Sequence, residues 1–148
     1  MATNWTEIRN KRDEMLEEVS PELKNEYWNT AGVYAIYIED ELVYVGESSS
    51  LLNRWIAHKL NTLYDFGQKD YKEDKYKIFR EAYNLGLKVH CQPLEICEND
   101  KYILRNKENE WIQKLNPLLN NPMKMITYYK GIELIEKIQK NTKILGQS

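Results

Sequence analysis

Glu108 occupies a position that stability alone does not explain. It lies in the middle of the apolar stripe of a predicted helix, at about 100° of rotation per residue. The apolar members of that stripe are Leu104, Trp111, Ile112 and Leu115. Because burial of an isolated charge is very costly, a carboxylate here must be protonated, paired or bound to a cation. Three explanations satisfy this requirement: a structural ion pair with Arg or Lys, a position at the solvent-exposed rim of the stripe, or a functional site.

Arg54 and His58 form a second candidate pair. They lie four residues apart on another predicted helix, so their side chains project together. The core side of this helix is marked by Leu52, Ile56, Leu60 and Leu63, and the pair is expected on the opposite side. Arginine offers a fixed charge and a planar fork suited to phosphate, and histidine exchanges a proton near neutral pH. Such a pair is also typical of a solvated helix face.

The elements that must position these residues are predicted from periodicity and capping signals. Strands are expected at 32–38, 42–46 and 87–97, with the first two joined as a hairpin. Pro93 lacks a backbone donor and places the third strand at a sheet edge or at a bulge. Helices are expected from Asn4 to about Val19, from Pro21, and at 51–63, 76–85, 99–115 and 131–140. The predicted fold class is α+β, with a small three-stranded antiparallel sheet flanked by helices.

Composition and charge limit the class of protein. A chain of 148 residues with 42% hydrophobic and 30% charged residues is expected to form one globular domain with extensions. It contains no apolar run of about 18 residues and no basic-then-apolar N-terminal signal. We therefore expect a cytoplasmic protein with no membrane partner. The net charge of −2 excludes a chain that is basic throughout, but residues 119–148 carry five Lys against two Glu.

Five sequence features together resemble the GIY-YIG nuclease superfamily. Gly32-Val33-Tyr34 followed by Tyr44-Val45-Gly46 is similar to the two motifs that name the superfamily. Arg54 matches its helix arginine, Glu108 its metal-binding glutamate and Asn120 its late asparagine. Either tripeptide alone would be weak, whereas five features in the right order on the expected elements are specific.

The resemblance also divides the chain. It covers about residues 31–121, which would be the nuclease domain with the fold of that superfamily. Residues 1–30 would form a helical N-terminal extension, and residues 122–148 a basic helical C-terminal extension.

The resemblance implies hydrolysis of nucleic-acid phosphodiester bonds with one Mg²⁺ or Mn²⁺ per active site and no small-molecule cofactor. Glu108 would hold the metal, since a hard cation can be bound by one carboxylate plus the substrate phosphate. Arg54 would neutralise charge on the phosphoryl oxygens. Tyr34 or Tyr44 would take the proton of the attacking water, and His58 matches a histidine that supports the tyrosine in some members.

Two points stay open at the level of sequence. If residues 38 and 42 pair across the hairpin, Tyr34 and Tyr44 share a face of the sheet, whereas pairing of 39 with 42 would place Tyr37 beside Tyr44. In addition, many members carry a lysine just after the second motif, where this chain has Glu47. That departure removes one cation from the expected site.

The expected function is a small endonuclease that acts on duplex DNA, of a restriction-like or mobile-element kind. A homodimer is expected if the enzyme is restriction-like. One alternative is a nucleic-acid-binding module of the same fold that cuts poorly, for which Glu47 is the main reason. The other is an RNA-directed nuclease or toxin. The residues expected to contact nucleic acid are Gly46, Lys124, Lys130, Lys137 and Lys140. A solvated helix face would account equally for the lysines.

Overall fold

The computed structural model describes residues 2–121 and 124–147, and the side chains of 2–121 and 127–142. In chain order the elements are α1 (Trp5–Glu18), α2 (Pro21–Tyr27), β1 (Gly32–Ile38), β2 (Glu41–Ser48), α3 (Leu51–Leu63), α4 (Asp74–Asn84), β3 (Val89–Ile96), α5 (Lys101–Leu115) and α6 (Lys124–Gln147). Short 3₁₀ turns occur at Lys69–Lys72 and Leu118–Asn120. Over the described ranges, no helix combines the length and the apolar character needed to cross a membrane.

The sheet is antiparallel with the strand order β2-β1-β3, which confirms the predicted α+β class and its three-stranded sheet. The central strand is β1, so β3 lies at an edge as Pro93 predicted. Pro93 lies opposite Tyr34, next to a shift in register between Val33 and Tyr34. Both explanations for a proline in this strand therefore hold, since the strand is at an edge and carries a bulge.

The hairpin between β1 and β2 contains a bulge that sequence did not predict. Ile38 lies opposite Glu41 at the turn, so neither of the two expected pairings occurs there. The register shifts between Ile36 and Tyr37, and Ile36 then lies opposite Tyr44. Beyond the bulge, the register is the one that pairing of 38 with 42 would have given. Tyr34 consequently shares a face of the sheet with Tyr44.

The two faces of the sheet are covered by different helices. On one face, Val33, Ala35 and Val45 pack against Trp111 and Ile112 of α5. On the other face, residues of β1 and β2 pack with α3, α4 and α6 in the main hydrophobic core. That core includes Tyr34, Ile36, Ile38, Val43, Leu51, Tyr76, Ile78, Phe79, Ile135 and Ile138. Tyr34 and Tyr44 therefore point toward α3 and α4, whereas α5 reaches the site from the opposite face.

Helix α3 is buried on two sides, which corrects the predicted orientation of His58. Leu52, Ile56 and Leu60 pack against Met15 of α1, as the core side of the helix should. The opposite side faces the sheet instead of solvent, and His58 is only 1% exposed. The prediction failed because the periodicity of α3 does not reveal that α1 covers it from outside. Leu63, predicted as core, is 41% exposed near the end of the helix.

Helix α6 is longer than the predicted 131–140, because Gly131 lies inside it. Glycine weakens the interior of a helix, so its presence there needs another explanation. Its place is explained by packing, since a Cβ at Gly131 would lie 2.6 Å from Cδ1 of Ile78 on α4. Ile135 and Ile138 are buried in the main core. The C-terminal segment is thus an integral part of the fold.

Candidate active site

Tyr34 and His58 meet in the centre of the structure. The Tyr34 hydroxyl and His58 Nε2 are 2.6 Å apart, and both side chains are buried. Gly46 lies opposite Tyr34 on β2, and a Cβ at Gly46 would lie 2.3 Å from the Tyr34 hydroxyl oxygen. The glycine of the second motif therefore leaves room for the tyrosine of the first. Gly46 is itself buried, and its predicted contact with nucleic acid stays a prediction.

The second ring nitrogen of His58 is also bonded. Nδ1 lies 2.8 Å from the hydroxyl of Tyr76, which is buried on the first turn of α4. The Tyr44 ring packs edge-on against His58, with ring centroids 5.7 Å apart. Sequence reasoning missed Tyr76, since a tyrosine at the start of a helix carries no signal of a partner 18 residues earlier. The histidine is therefore fixed at both nitrogens and along its edge.

Burial decides the resting protonation states of this pair. Burial, together with the positive charges of Arg54 and Lys75, holds the pKa of His58 well below its usual value, so the imidazole is neutral near pH 7. Burial and the neighbouring Tyr44 raise the pKa of Tyr34 well above its usual value, although Arg54 acts in the opposite direction. The bond at 2.6 Å therefore joins a neutral phenol to a neutral imidazole.

Arg54 lies one helical turn before His58 and faces the same tyrosines. Burial alone would lower the pKa of Arg54, but interactions with Tyr34, Tyr76 and Tyr44 raise it. The guanidinium is therefore a permanent positive charge beside the tyrosine cluster. Sequence predicted this proximity of Arg54 and His58, but it placed both residues on the side of α3 away from the core.

Lys75 supplies a second cation that sequence analysis did not identify. Its Nζ lies 5.4 Å from the centre of the Tyr44 ring and 4.9 Å from that of Tyr76. The side chain is 16% exposed and forms an ion pair with Glu73. The lysine that many members of the resembled superfamily carry after the second motif is Glu47 here, whereas a cation contacts the tyrosines from α4. Because Lys75 is distant in sequence from both motifs, no sequence pattern indicated this contact.

Asn120 holds the edge strand next to the site. Its Oδ1 accepts a hydrogen bond from the Val45 N–H, and its Nδ2 donates to the Val45 carbonyl, both at 2.9 Å. The amide thus replaces a neighbouring strand at the residue before Gly46. Asn120 therefore positions β2, and its predicted part in the active site stays a prediction.

Glu108 reaches the same end of β2 from α5. Its side chain is half-buried, and among the described residues it forms no ion pair. Burial and the charge of Glu47 raise the pKa of Glu108, whereas a backbone hydrogen bond from Glu47 and the charges of Arg105 and Arg54 lower it. A structural ion pair, one of the alternatives for Glu108, is therefore not found in the described part of the chain. The Glu108 carboxylate instead lies at the rim of the apolar stripe of α5, close to the carboxylate of Glu47.

The oxygen donors at Glu108 fit a divalent cation. A half-buried carboxylate without an internal cation partner, with a like charge beside it, is stabilised by a cation. No group of three or more His, Cys, Asp or Glu that could hold a metal occurs within the described part of the chain. A metal at Glu108 would therefore depend on few protein ligands, as the single carboxylate of the resembled superfamily does.

The predicted basic contacts lie apart from the tyrosine cluster. Lys130, Lys137 and Lys140 are exposed on α6, whose buried residues Ile135 and Ile138 face the core. The side chain of Lys124 lies outside the described residues. In the structure, Lys130, Lys137 and Lys140 lie on a solvated face of α6. Their contact with nucleic acid stays a prediction.

Six residues from distant parts of the sequence thus converge at one end of the hairpin: Tyr34, Tyr44, Arg54, His58, Glu108 and Asn120. Comparison of the chain with models of protein families, with curated proteins and with solved structures finds no match. Function is therefore inferred from the motifs and from the geometry of these residues.

Proposed function

We propose that this protein is a metal-dependent endonuclease of the GIY-YIG type that hydrolyses phosphodiester bonds in DNA. The observation that carries the proposal is the buried bond of 2.6 Å between Tyr34 and His58, beside the positive charge of Arg54. A purely structural tyrosine needs neither a histidine acceptor nor a neighbouring guanidinium. A phosphodiester hydrolase needs both a route for a proton and a charge that binds the phosphoryl oxygens.

Tyr34 is the proposed base because its hydroxyl bonds directly to His58, whereas Tyr44 contacts the imidazole only through its ring. The Tyr34 oxygen accepts a proton from the attacking water as its own proton passes to His58 Nε2. The water oxygen attacks phosphorus, and the bond from phosphorus to the leaving oxygen breaks. Tyr34 thus remains a neutral phenol throughout, which avoids forming a phenolate in a buried site.

Arg54 and Lys75 make this transfer depend on the substrate. Their positive charges disfavour a protonated His58 in the free protein. A bound phosphodiester adds negative charge beside Arg54, which offsets that effect and makes the imidazolium easier to form. His58 would therefore accept the proton when substrate is present, and the resting site would stay neutral at this residue.

The metal of the proposed enzyme would be held by Glu108, with Mg²⁺ or Mn²⁺ as the ion. When bound, such a cation supplies stabilisation of the charge that develops on the leaving oxygen. The half-buried carboxylate of Glu108 and the adjacent charge of Glu47 support this position. Glu108 and Arg54 would then act on opposite sides of the same phosphate.

We further propose duplex DNA as the substrate, with the lysines of α6 contacting its backbone. A restriction-like or mobile-element role and a homodimer would suit a small enzyme that cuts both strands of a symmetric site. The second candidate is a module that binds nucleic acid and cuts poorly. It is favoured by Glu47, whose negative charge replaces a cation of the resembled motif.

One experiment separates these functions. Supercoiled plasmid and labelled RNA of matched length are incubated with the protein in Mg²⁺ or Mn²⁺, with parallel samples in EDTA. Cleavage of the plasmid alone, abolished by EDTA, is expected. Cleavage of RNA alone would favour the RNA-directed nuclease. A mobility shift without cleavage in either metal would favour the binding module and overturn the proposed activity.

A further inference from the structure

The two hydrogen bonds of His58 are linked through a single proton. A neutral imidazole carries one N–H, so one ring nitrogen donates and the other accepts. Nε2 faces Tyr34 at 2.6 Å, and Nδ1 faces Tyr76 at 2.8 Å. The group at Nδ1 therefore determines what Nε2 can do, although Tyr76 touches neither Tyr34 nor the region around Glu108 in any described hydrogen bond.

Only one of the two tautomers allows the proton transfer proposed above. With the proton on Nδ1, His58 donates to Tyr76, and Nε2 accepts the hydroxyl proton of Tyr34. With the proton on Nε2, His58 donates to the Tyr34 oxygen, and Tyr34 has no acceptor for its own proton. The choice between these states is thus the choice between an active and an inactive resting site.

We propose that Tyr76 is a positioning residue, whose hydroxyl holds the proton of His58 on Nδ1 and so keeps Nε2 free to accept the proton of Tyr34. Its effect on rate depends on the proposed nuclease function, whereas its effect on the tautomer does not. Tyr76 acts through His58 and is not itself expected to touch the substrate.

The surroundings of Tyr76 favour its oxygen as a hydrogen-bond acceptor. Burial and Glu73 raise the pKa of Tyr76, which keeps its hydroxyl a neutral phenol, whereas the positive charge of Arg54 and a hydrogen bond with the side chain of Asn61 act in the opposite direction and polarise its oxygen. Lys75 lies over the Tyr76 ring at 4.9 Å and disfavours positive charge on His58. A neutral phenol oxygen polarised by these neighbours and 2.8 Å from Nδ1 accepts a hydrogen bond from an N–H there.

The remaining charged and titratable groups around His58 do not compete for Nδ1. Tyr34 from β1 occupies Nε2, and Tyr44 from β2 contacts the ring by its edge. Arg54 lies on the same helix as His58, and Lys75 is paired with Glu73 on α4. The Tyr76 hydroxyl is therefore the group that determines the state of Nδ1 among the described residues.

The first test compares Tyr76→Phe with Tyr83→Phe. Tyr83 lies on the same helix and is half-buried, and its hydroxyl forms no hydrogen bond among the described residues. Tyr76→Phe should lower kcat for DNA cleavage between about 10-fold and about 10⁴-fold, the range for losing a group that orients a catalytic histidine. KM should be unchanged in both variants, and Tyr83→Phe should have the wild-type kcat. Equal kcat values in the two folded variants would overturn the proposal.

The second test needs no activity. The chain has two histidines, so ¹⁵N spectra of the imidazoles in wild type and in His90→Gln identify the signals of His58. We expect the Nδ1–H tautomer in wild type and a mixture, or the Nε2–H tautomer, in Tyr76→Phe. An Nε2–H tautomer in wild type would refute the role of Tyr76, even if Tyr76→Phe fails to fold. The expected tautomers in a protein that cuts neither DNA nor RNA would overturn the proposed function and leave the positioning role intact.

Discussion

Replacing Gly46 by alanine should separate the geometry of the site from the stability of the fold. The new Cβ would lie 2.3 Å from the Tyr34 hydroxyl oxygen and 2.5 Å from its Cζ. Ordinary contact would require the ring to move by about 1 Å, which removes a short hydrogen bond to His58. Overpacking of this kind costs about 1–3 kcal/mol of stability. A displacement of about 1 Å at a reacting group costs on the order of 100-fold in rate.

Gly86→Ala is the matched control for this variant. Gly86 has φ +75° and would meet nothing within 4 Å of an added Cβ, so alanine there strains the backbone without touching the site. That substitution should cost about 1 kcal/mol and leave cleavage unchanged. Urea denaturation gives the stability of both variants, and plasmid cleavage gives the rates. If Gly46→Ala loses stability but cuts at the wild-type rate, Tyr34 does not act through its bond to His58.

Four further sets of variants test other parts of the proposed site. Glu108→Gln should reduce metal-dependent cleavage by orders of magnitude with an unchanged melting temperature; a variant that melts earlier and still cuts would make Glu108 structural. Arg54→Lys keeps one charge but loses the bidentate fork, so single-turnover cleavage should fall strongly, and wild-type rates would exclude an oriented contact. Because the pKa of His58 is depressed in the fold, the unfolded chain takes up the extra proton, and stability should fall as pH drops below about 6.5. Urea denaturation between about pH 7 and about pH 5 should show a shallower loss in His58→Gln, and an equal loss would contradict the assignment. Lys130→Glu with Lys137→Glu should weaken DNA binding and flatten its salt dependence in gel-shift titrations, unless these lysines form only a solvated face.

Local signals predicted the starts of the first three helices well. The side chain of Asn4 accepts from the Glu7 N–H, and Ser20 and Ser50 cap the next helices in the same way. Each of these caps is a contact over three residues, so the sequence contains all of its partners. The two strands of the hairpin were predicted for a similar reason, since alternation and a short polar link are local patterns.

The features that sequence missed depend on contacts between distant segments. The tight turn pairs Ile38 with Glu41, but that register alone would not place Tyr34 and Tyr44 on the same face of the sheet. The bulge shifts the register by one residue and so allows both. Either requirement could be predicted alone, but not their reconciliation by an extra residue on β2. The burial of His58 likewise depends on distant segments, since Tyr34 of β1 and Tyr76 of α4 enclose it while α1 covers the apolar side of α3. A single helix cannot reveal that it is buried on two sides.

The effect of Glu47 on the proposed site depends on where the nearby cations lie in the structure. Arg54 and Lys75 place positive charge around Tyr34, Tyr76 and His58, so this part of the site has cations although residue 47 is acidic. Glu47 instead adds its negative charge beside Glu108. In the proposed enzyme, the substitution therefore strengthens attraction for a divalent cation where one is needed, and α4 supplies the cation for the tyrosines.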